Sequence, residues 1–442
     1  MSTRTGNAED ASREVETGRA GPGHVETRRV ETRQGVSAPT RAALWVGAVA
    51  ARASRVAGYE GQMIGGRLAL MLRPDCLSEL AAGRRVVFVS GTNGKTTTTA
   101  MLAAALGTRE PVASNSSGAN MLDGLAAALA ESPARTAVGE VDELHLPAAA
   151  RATRPVALVL LNLSRDQLDR ASELRGIVTR LQAFAAEQPD VLVVANCDDP
   201  NVVLAVAAFR RVVWVAVGTT WSGDAGSCPH CGHRLHGEGP NWWCPRCSLT
   251  RPRPDWSLVD GELGGPGERV AVHSRLPGEV NRINAALAVA AAGSLGVPTG
   301  RAASAVAAVE DVAGRYRTFS VGHHRVRLLL AKNPAGWAAV LDMLSTPAVP
   351  VVIAVNARQA DGRDTSWLYD VPFERLAGSP VAITGERAAD LGVRLRYAEV
   401  PHGTAENAVA ALHQLPPGPV LVVGDYTSFL AARSRLEAEG AS

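Results

Sequence analysis

Arg84-Arg85-Val86-Val87-Phe88-Val89-Ser90, followed directly by Gly91-Thr92-Asn93-Gly94-Lys95-Thr96-Thr97, is the stretch that decides the fold. The first half has the apolar, breaker-free composition of a short buried strand. The second half is a glycine turn, and Thr96 to Leu106 then has helical character up to Gly107. Strand, glycine turn and helix in this order make a phosphate-binding P-loop. Gly91 and Gly94 let backbone N–H groups approach phosphate oxygens, Lys95 brings a mobile cation to the β- and γ-phosphates, and the Thr96 hydroxyl can ligate Mg²⁺. The motif is shortened: a full G-x-x-x-x-G-K needs glycine at 89, where this chain has Val89.

Around that stretch the chain has the composition of a globular protein. Its 442 residues suffice for two or three domains, and 46% hydrophobic with 20% charged residues is ordinary. A net charge of +2 argues against a general nucleic-acid or membrane field. No apolar run reaches the roughly 20 residues of a membrane span, and the N-terminus lacks a secretory apolar core, so the expectation is a cytoplasmic protein. Basic charge is carried almost wholly by arginine; the two lysines are Lys95 and Lys332. Their survival suggests sites where a compact ammonium is needed.

Residues 1–40 are rich in Thr, Arg, Glu and Gly and read as a disordered tail. From 41 to 72 apolar residues recur at helical spacing, giving one or two amphipathic helices. After the P-loop, strands are expected at Thr136–Val141, Pro155–Leu161, Val191–Ala195 and Val212–Val217, with a helix at Ala171–Glu187. This alternation implies a mostly parallel α/β sheet covered on both faces. A composition break at 221–255, rich in Trp, Cys, Gly, His and Pro, interrupts it. The pattern resumes with Pro277-Gly278 and an alanine-rich helix at Asn284–Leu295. A second α/β unit, 318–442, has strands at Val326–Leu330, Val351–Val355, Val381–Thr384 and Val420–Val423.

Gly139-Glu140-Val141-Asp142-Glu143 closes a strand, where a carboxylate can hold nucleotide-bound Mg²⁺. Asn162-Leu163-Ser164-Arg165-Asp166-Gln167-Leu168-Asp169-Arg170 follows the next strand, Asn196-Cys197-Asp198-Asp199-Pro200 the one after, and Asn281-Arg282-Ile283-Asn284 follows Pro277-Gly278. Asp166, Asp169 and the two asparagines could equally cap helices. With the shortened P-loop, these segments in this order resemble the Mur ligase superfamily. The resemblance implies a P-loop central domain over 41–317, with Gly91, Thr92, Asn93, Gly94, Lys95, Thr96, Thr97, Asn281 and Asn284 at ATP, and Thr96 and Glu140 at magnesium. Peptide-forming members carry a UDP-binding domain ahead of the P-loop, and residues 41–90 leave no room for one. Many members also use a carbamoylated lysine between the second and third segments. No lysine stands between 96 and 331, which excludes that device.

Cys228-Pro229-His230-Cys231, twelve residues, then Cys244-Pro245-Arg246-Cys247 is the strongest metal signal. Two C-x-x-C knuckles so spaced make a zinc ribbon with four thiolates and no open coordination position, hence structural Zn²⁺. His230, His233 and His236 are read as bystanders, and Cys76 and Cys197 as packing residues. The ribbon, the missing N-terminal domain, Ala331-Lys332-Asn333-Pro334-Ala335-Gly336-Trp337 and Ala360-Asp361-Gly362-Arg363-Asp364-Thr365-Ser366-Trp367-Leu368-Tyr369-Asp370 together resemble the MurT-type branch over about 41–435. That resemblance implies a Rossmann-like C-terminal α/β domain (318–442) and a heterodimer with a GatD-type glutamine amidotransferase. The reaction it implies is ATP-dependent amidation of the D-glutamate α-carboxylate of lipid II through an acyl phosphate, at the inner face of the membrane. It further implies that the acidic loop lends an aspartate to the partner's Cys–His pair, Asp364 ahead of Asp361. A folylpolyglutamate- or cyanophycin-type ligase is the alternative. A nucleic-acid-binding NTPase is disfavoured, because few basic residues interleave with Trp242 and Trp243, and no nucleic-acid partner is expected.

Overall fold

The computed structural model describes residues 36–56, 62–115, 120–164, 173–218, 226–238, 241–313, 315–344 and 348–440. The strand Arg85–Ser90 lies inside a nine-stranded sheet. Thr136–Glu140 and Ala157–Leu160 flank it, both parallel, with Val89 opposite Glu140 on one side and Val159 on the other. Parallel pairing brings the C-terminal ends of all three to one edge. The Gly91 turn, Glu140 and Asn162 therefore converge there without any of them being close in sequence.

Beyond Thr136–Glu140 the sheet ends at Val112–Ser114. On the other side it continues, still parallel, through Leu192–Asn196, Arg211–Ala216 and Trp256–Val259. The antiparallel strands Glu262–Gly265 and Glu268–Ala271 complete that edge. Alternation along the central strand sets the two faces. Val86 and Phe88 enter a core with Leu77, Leu125, Leu158 and Leu181, whereas Val87 and Val89 enter another with Met101, Leu102 and Val159. The second core is closed by helices Lys95–Gly107 and Glu279–Ser294. Residues 285–292 of the latter are all buried. Alanine makes this possible: it has the highest helix propensity and its small side chain lets the helix lie close to its neighbours.

A six-stranded sheet follows, in the order Thr318–Val321, His324–Leu330, Gly418–Gly424, Val351–Ala354, Val381–Thr384, His402–Thr404. Only its first pair is antiparallel. The last strand of the chain, Gly418–Gly424, is inserted between two earlier ones, so the strand order reverses there. Crevices at such a reversal are where open α/β sheets gather polar residues.

Two departures from the sequence expectation bear on the site. The alanine-rich helix begins at Glu279, not Asn284, because Gly278 stands at its N-cap with φ 88° and the helix starts at once. Asn281 and Asn284 are therefore helix-interior residues rather than caps. Residues 256–271, where no strand was expected, form three short strands, one reaching the parallel sheet through Val215–Trp256 pairing. Nothing in the described residues is a helix long and apolar enough to cross a membrane.

Candidate functional site

The turn after the central strand needs glycine twice. Gly91 has φ 140° and Gly94 φ 86°, and a Cβ on Gly94 would sit 2.5 Å from Asn284 Oδ1. The turn is held from the neighbouring strand end by Asn162. Its Oδ1 accepts from Asn93 N at 2.9 Å, its Nδ2 donates to Asn93 O at 3.0 Å, and its backbone carbonyl accepts from Thr92 N at 3.0 Å. Thr92 Oγ1 accepts from Ser164 N at 2.9 Å. Thr98 N donates to Gly94 O, so the first-turn N–H groups of the helix precede the intrahelical ladder and face the cradle. Lys95 is buried, and its Nζ donates to Gly91 O at 2.5 Å and Thr92 O at 3.2 Å, with Glu143 Oε2 at 3.3 Å. The ammonium thus lies within the loop that would hold phosphate.

Glu140 stands opposite, only 2% exposed. Asn115 clamps its backbone, with Asn115 Oδ1 accepting from Glu140 N at 2.6 Å and Asn115 Nδ2 donating to Glu140 O at 2.9 Å. Burial pushes the Glu140 carboxyl up; the charges of Arg315 and Lys95 and the nearby Thr96 hydroxyl work against that push. Yet Glu140 Oε2 and Thr96 Oγ1, both buried, complete no hydrogen bond. A buried carboxylate oxygen and a buried hydroxyl left open side by side are costly. They are an oxygen donor set that a hard divalent cation would satisfy.

Asn281 and Asn284 lie on the inner face of their helix, both buried. Asn281 Oδ1 accepts from Tyr316 OH at 3.2 Å, and Asn284 meets Gly94 as above. From the C-terminal unit, Asn333 reaches the same turn. Its amide and that of Asn93 pair reciprocally at 3.3 and 3.4 Å, while its Oδ1 also accepts from Gly336 N, capping helix Pro334–Met343. Asn115 and Arg315 are thus parts of the site to which the sequence alone assigned no role. Asn162, Glu143 and Asn333 stand in runs that the sequence singles out, and the structure adds their individual contacts. Asp166, Asp169 and Arg170 lie outside the described residues.

The Asn196–Pro200 turn serves structure. Asp199 caps helix Pro200–Val206 and accepts from Leu163 N at 2.8 Å. Asp198 Oδ2 accepts from Val217 N and Gly218 N at 2.8 and 2.7 Å, where the chain leaves the sheet, and Oδ1 meets Arg251 Nη2 at 2.7 Å, where it returns. One carboxylate therefore ties both ends of the excursion that carries the cysteines. Both partners are well buried, so Arg251→Ala, which leaves that carboxylate without its cation, is expected to cost about 3 kcal/mol. Chemical denaturation of the Arg251→Ala protein, with Arg253→Ala as an exposed control, measures it.

Within the excursion, Cys228, Cys231, Cys244 and Cys247 bring their Sγ atoms within 4.8 Å of one another. Cys228–Cys247 and Cys231–Cys244 separations of 3.6 and 3.5 Å are those of four thiols around one point. The fit to a tetrahedral thiolate-binding ion is direct. His233 contributes its backbone carbonyl to Cys228 N, and His236 packs near Trp243; neither ring joins the cluster.

On the C-terminal edge the two aspartates separate clearly. Asp361 is 5% exposed. Its Oδ1 accepts from Thr427 N at 2.7 Å and its Oδ2 from Thr427 Oγ1 at 2.6 Å. Asp425 lies next to it, pushed up to about 6 by burial, with the Asp361 charge adding to the rise against hydrogen bonds from Asn356 and Ser428. Asp364 is half-buried, and its Oδ1 accepts from Ser366 N at 2.8 Å. That bond holds its carboxyl below the usual carboxylate range.

A glycine turn at the C-terminal edge of the parallel strands thus gathers buried Lys95, Thr96 and Glu140, with Asn333 of the second α/β unit reaching it. Residues 89–222 match the Mur ligase middle domain and residues 330–429 the MurT ligase C-terminal family. The chain is 30% identical over 387 residues to the lipid II isoglutaminyl synthase (glutamine-hydrolyzing) subunit MurT of Staphylococcus aureus strain COL, covering 81% of this chain and 88% of that one. Among solved structures the fold resembles a pseudomurein peptide ligase type C from Methanothermus fervidus (TM-score 0.63, 20% identity, 80% and 79% of the chains). It also resembles a Mycobacterium tuberculosis folylpolyglutamate synthase complexed with ADP (TM-score 0.59, 17% identity, 82% and 92%). The chain belongs to the MurT family, and so is a ligase that forms C–N bonds.

Proposed function

We propose that this chain is the ligase subunit that amidates the α-carboxylate of D-glutamate in the lipid II stem peptide, giving D-isoglutamine, ADP and phosphate. The observation that carries the reading is the open pair Thr96 Oγ1 and Glu140 Oε2 beside Lys95, in a chain related to MurT over most of its length. A carboxylate oxygen of the substrate attacks the γ-phosphorus of ATP, ADP leaves, and an acyl phosphate forms. Ammonia attacks its carbonyl carbon, phosphate leaves and a proton is lost. Phosphoryl transfer of this kind depends on positioning and charge neutralisation. Gly91 to Thr97 cradle the phosphates, Lys95 moves from the loop carbonyls to the transferring phosphoryl group, and Asn281 and Asn284 flank the nucleotide. Thr96 and Glu140 would hold Mg²⁺, which neutralises charge on the β- and γ-phosphates.

Ammonia would come from a GatD-type glutaminase partner, and the C-terminal unit, read as Rossmann-like, would meet it. Asp364 suits the role of orienting that partner's imidazole, because it reaches the surface on the loop while Asp361 is spent on Thr427. The test of the whole reading is mass spectrometry of lipid II after incubation with partner, glutamine and ATP. A stem peptide that gains an amino acid instead of an amide would place the chain with the folylpolyglutamate-type ligases.

Zinc in the four-cysteine cluster would be structural. About one zinc per chain is expected by metal analysis, and Cys228→Ser/Cys244→Ser should lose it together with thermal stability, since ribbon folding is coupled to metal. Unchanged zinc content in that variant would refute the ligand set.

A further inference from the structure

The helices ahead of the cradle carry a surface that amidation chemistry does not use. Ala38–Val56 and Gln62–Leu72 pack against each other so closely that a Cβ on Gly47 would lie 2.4 Å from Gly65 O. Their outer rows stay exposed. Arg41, Trp45, Val49 and Arg52 follow one another at i, i+4, i+8 and i+11 on the first helix, and Ile64, Arg67 and Met71 at i, i+3 and i+7 on the second. Trp45 is 69% and Met71 74% exposed, values unusual for such side chains in a protein with ample core. Neither helix contains an aspartate or glutamate. Arginine and apolar residues interleaved, with no acid, is the surface that an anionic bilayer complements: the apolar groups enter the headgroup boundary and the arginine stems follow while their guanidinium groups meet phosphate. The second helix also adjoins the ligase site. Gly66 lies against the Asp123 carbonyl, closer than a Cβ would allow, at the start of helix Leu122–Glu131, and the preceding Asn120 carbonyl accepts from Asp142 N, two residues past Glu140. Met121, at that junction, is itself exposed.

We propose that this helix pair docks on an anionic lipid surface and so presents the ligase site to a membrane-held substrate. The inference rests on the lipid-linked substrate proposed above. In flotation assays the full chain with its partner should bind phosphatidylglycerol-containing vesicles and not pure phosphatidylcholine ones. Neutralising Arg41, Arg52 and Arg67 to glutamine should lower that binding on the order of 100-fold, from three phosphate-facing charges. Trp45→Ser/Met71→Ser, exposed positions whose change should leave the melting temperature alone, should also weaken it. Both variants should amidate a detergent-free soluble stem-peptide analogue at the wild-type rate, yet amidate vesicle-embedded lipid II poorly. Wild-type protein that amidates the analogue but ignores anionic vesicles would overturn the docking proposal alone. Failure on both substrates would overturn the amidation reading instead. Vesicle binding that follows deletion of residues 1–35 rather than the helix variants would assign the lipid contact to that segment and refute the proposal. A chain that passes from dimer to monomer in the Trp45/Met71 variant would refute it too, naming a second copy as the occupant.

Discussion

Lys95→Ala is expected to abolish ATP-dependent amidation, by roughly 10³-fold, the scale of removing one preorganised electrostatic group from a charge-transfer site. The lysine is enclosed: Gly91 O, Thr92 O and Glu143 all lie within 3.3 Å of its Nζ. In that pocket the ammonium is held at the cradle before any nucleotide arrives. The same enclosure predicts that Lys95→Arg will not rescue, because a planar guanidinium cannot occupy a site shaped around a point charge. That result would explain why lysine persists here in a chain that uses arginine almost everywhere else. Glutamine hydrolysis by the partner should survive in both variants, since the cradle and the Asp364 loop sit on different sheets. Amidation is read by mass spectrometry of the stem peptide, and nucleotide binding by calorimetry. Full amidation by Lys95→Ala would remove the cradle from the mechanism.

What the sequence disclosed follows from how local each signal is. The central strand, the glycine turn and the helix after it are adjacent in sequence, so their pattern is read directly; the structure puts them at Arg85–Ser90 and Lys95–Gly107. The four cysteines are likewise readable, since two short knuckles fix four thiols. Glu140 is legible as a candidate because it ends a strand. Asn115 and Arg315 carry no such signal; Glu143 and Asn333 stand in readable runs, but nothing in those runs marks what they contact. Each acts through a contact with a segment far away in the chain, as Asn333 does with Asn93, 240 residues earlier. The edge strands at 256–271 are hard to read for a different reason. They are short and half-exposed, so their periodicity is weak, but Asp260-Gly261, with φ of 50° and 80°, is a hairpin turn signal that was there to be read. Asp198 shows the limit of motif reading: its place in an Asn-x-Asp-Asp-Pro turn says nothing of the ion pair with Arg251 across the cysteine excursion.

Asp364→Asn should separate the two half-reactions. The side chain lies on the C-terminal unit, half-exposed, and is kept ionised by the Ser366 amide. An aspartate so placed can accept from a partner imidazole and fix the tautomer that serves as base, as the third member of a nucleophile–base–orienter set does. Asparagine keeps the shape and loses the charge, so glutamine hydrolysis by the complex should fall roughly 10²–10⁴-fold, the range a general base contributes. Complex formation and ATP binding should persist, because the asparagine Oδ1 can still accept from Ser366 N and the cradle does not use this side chain. Ammonium supplied directly should restore most of the amidation. Asp361→Asn should behave otherwise. Its carboxylate holds the start of helix Tyr426–Gly440 through Thr427, and the loss should appear as a lowered melting temperature and weaker complex formation rather than a clean loss of hydrolysis. Should Asp364→Asn instead be dead with ammonium as well as glutamine, the residue belongs to the ligase site. Should Asp361→Asn abolish hydrolysis at unchanged stability while Asp364→Asn retains it, the orienting role passes to Asp361, and the buried bonds to Thr427 must open when the partner docks.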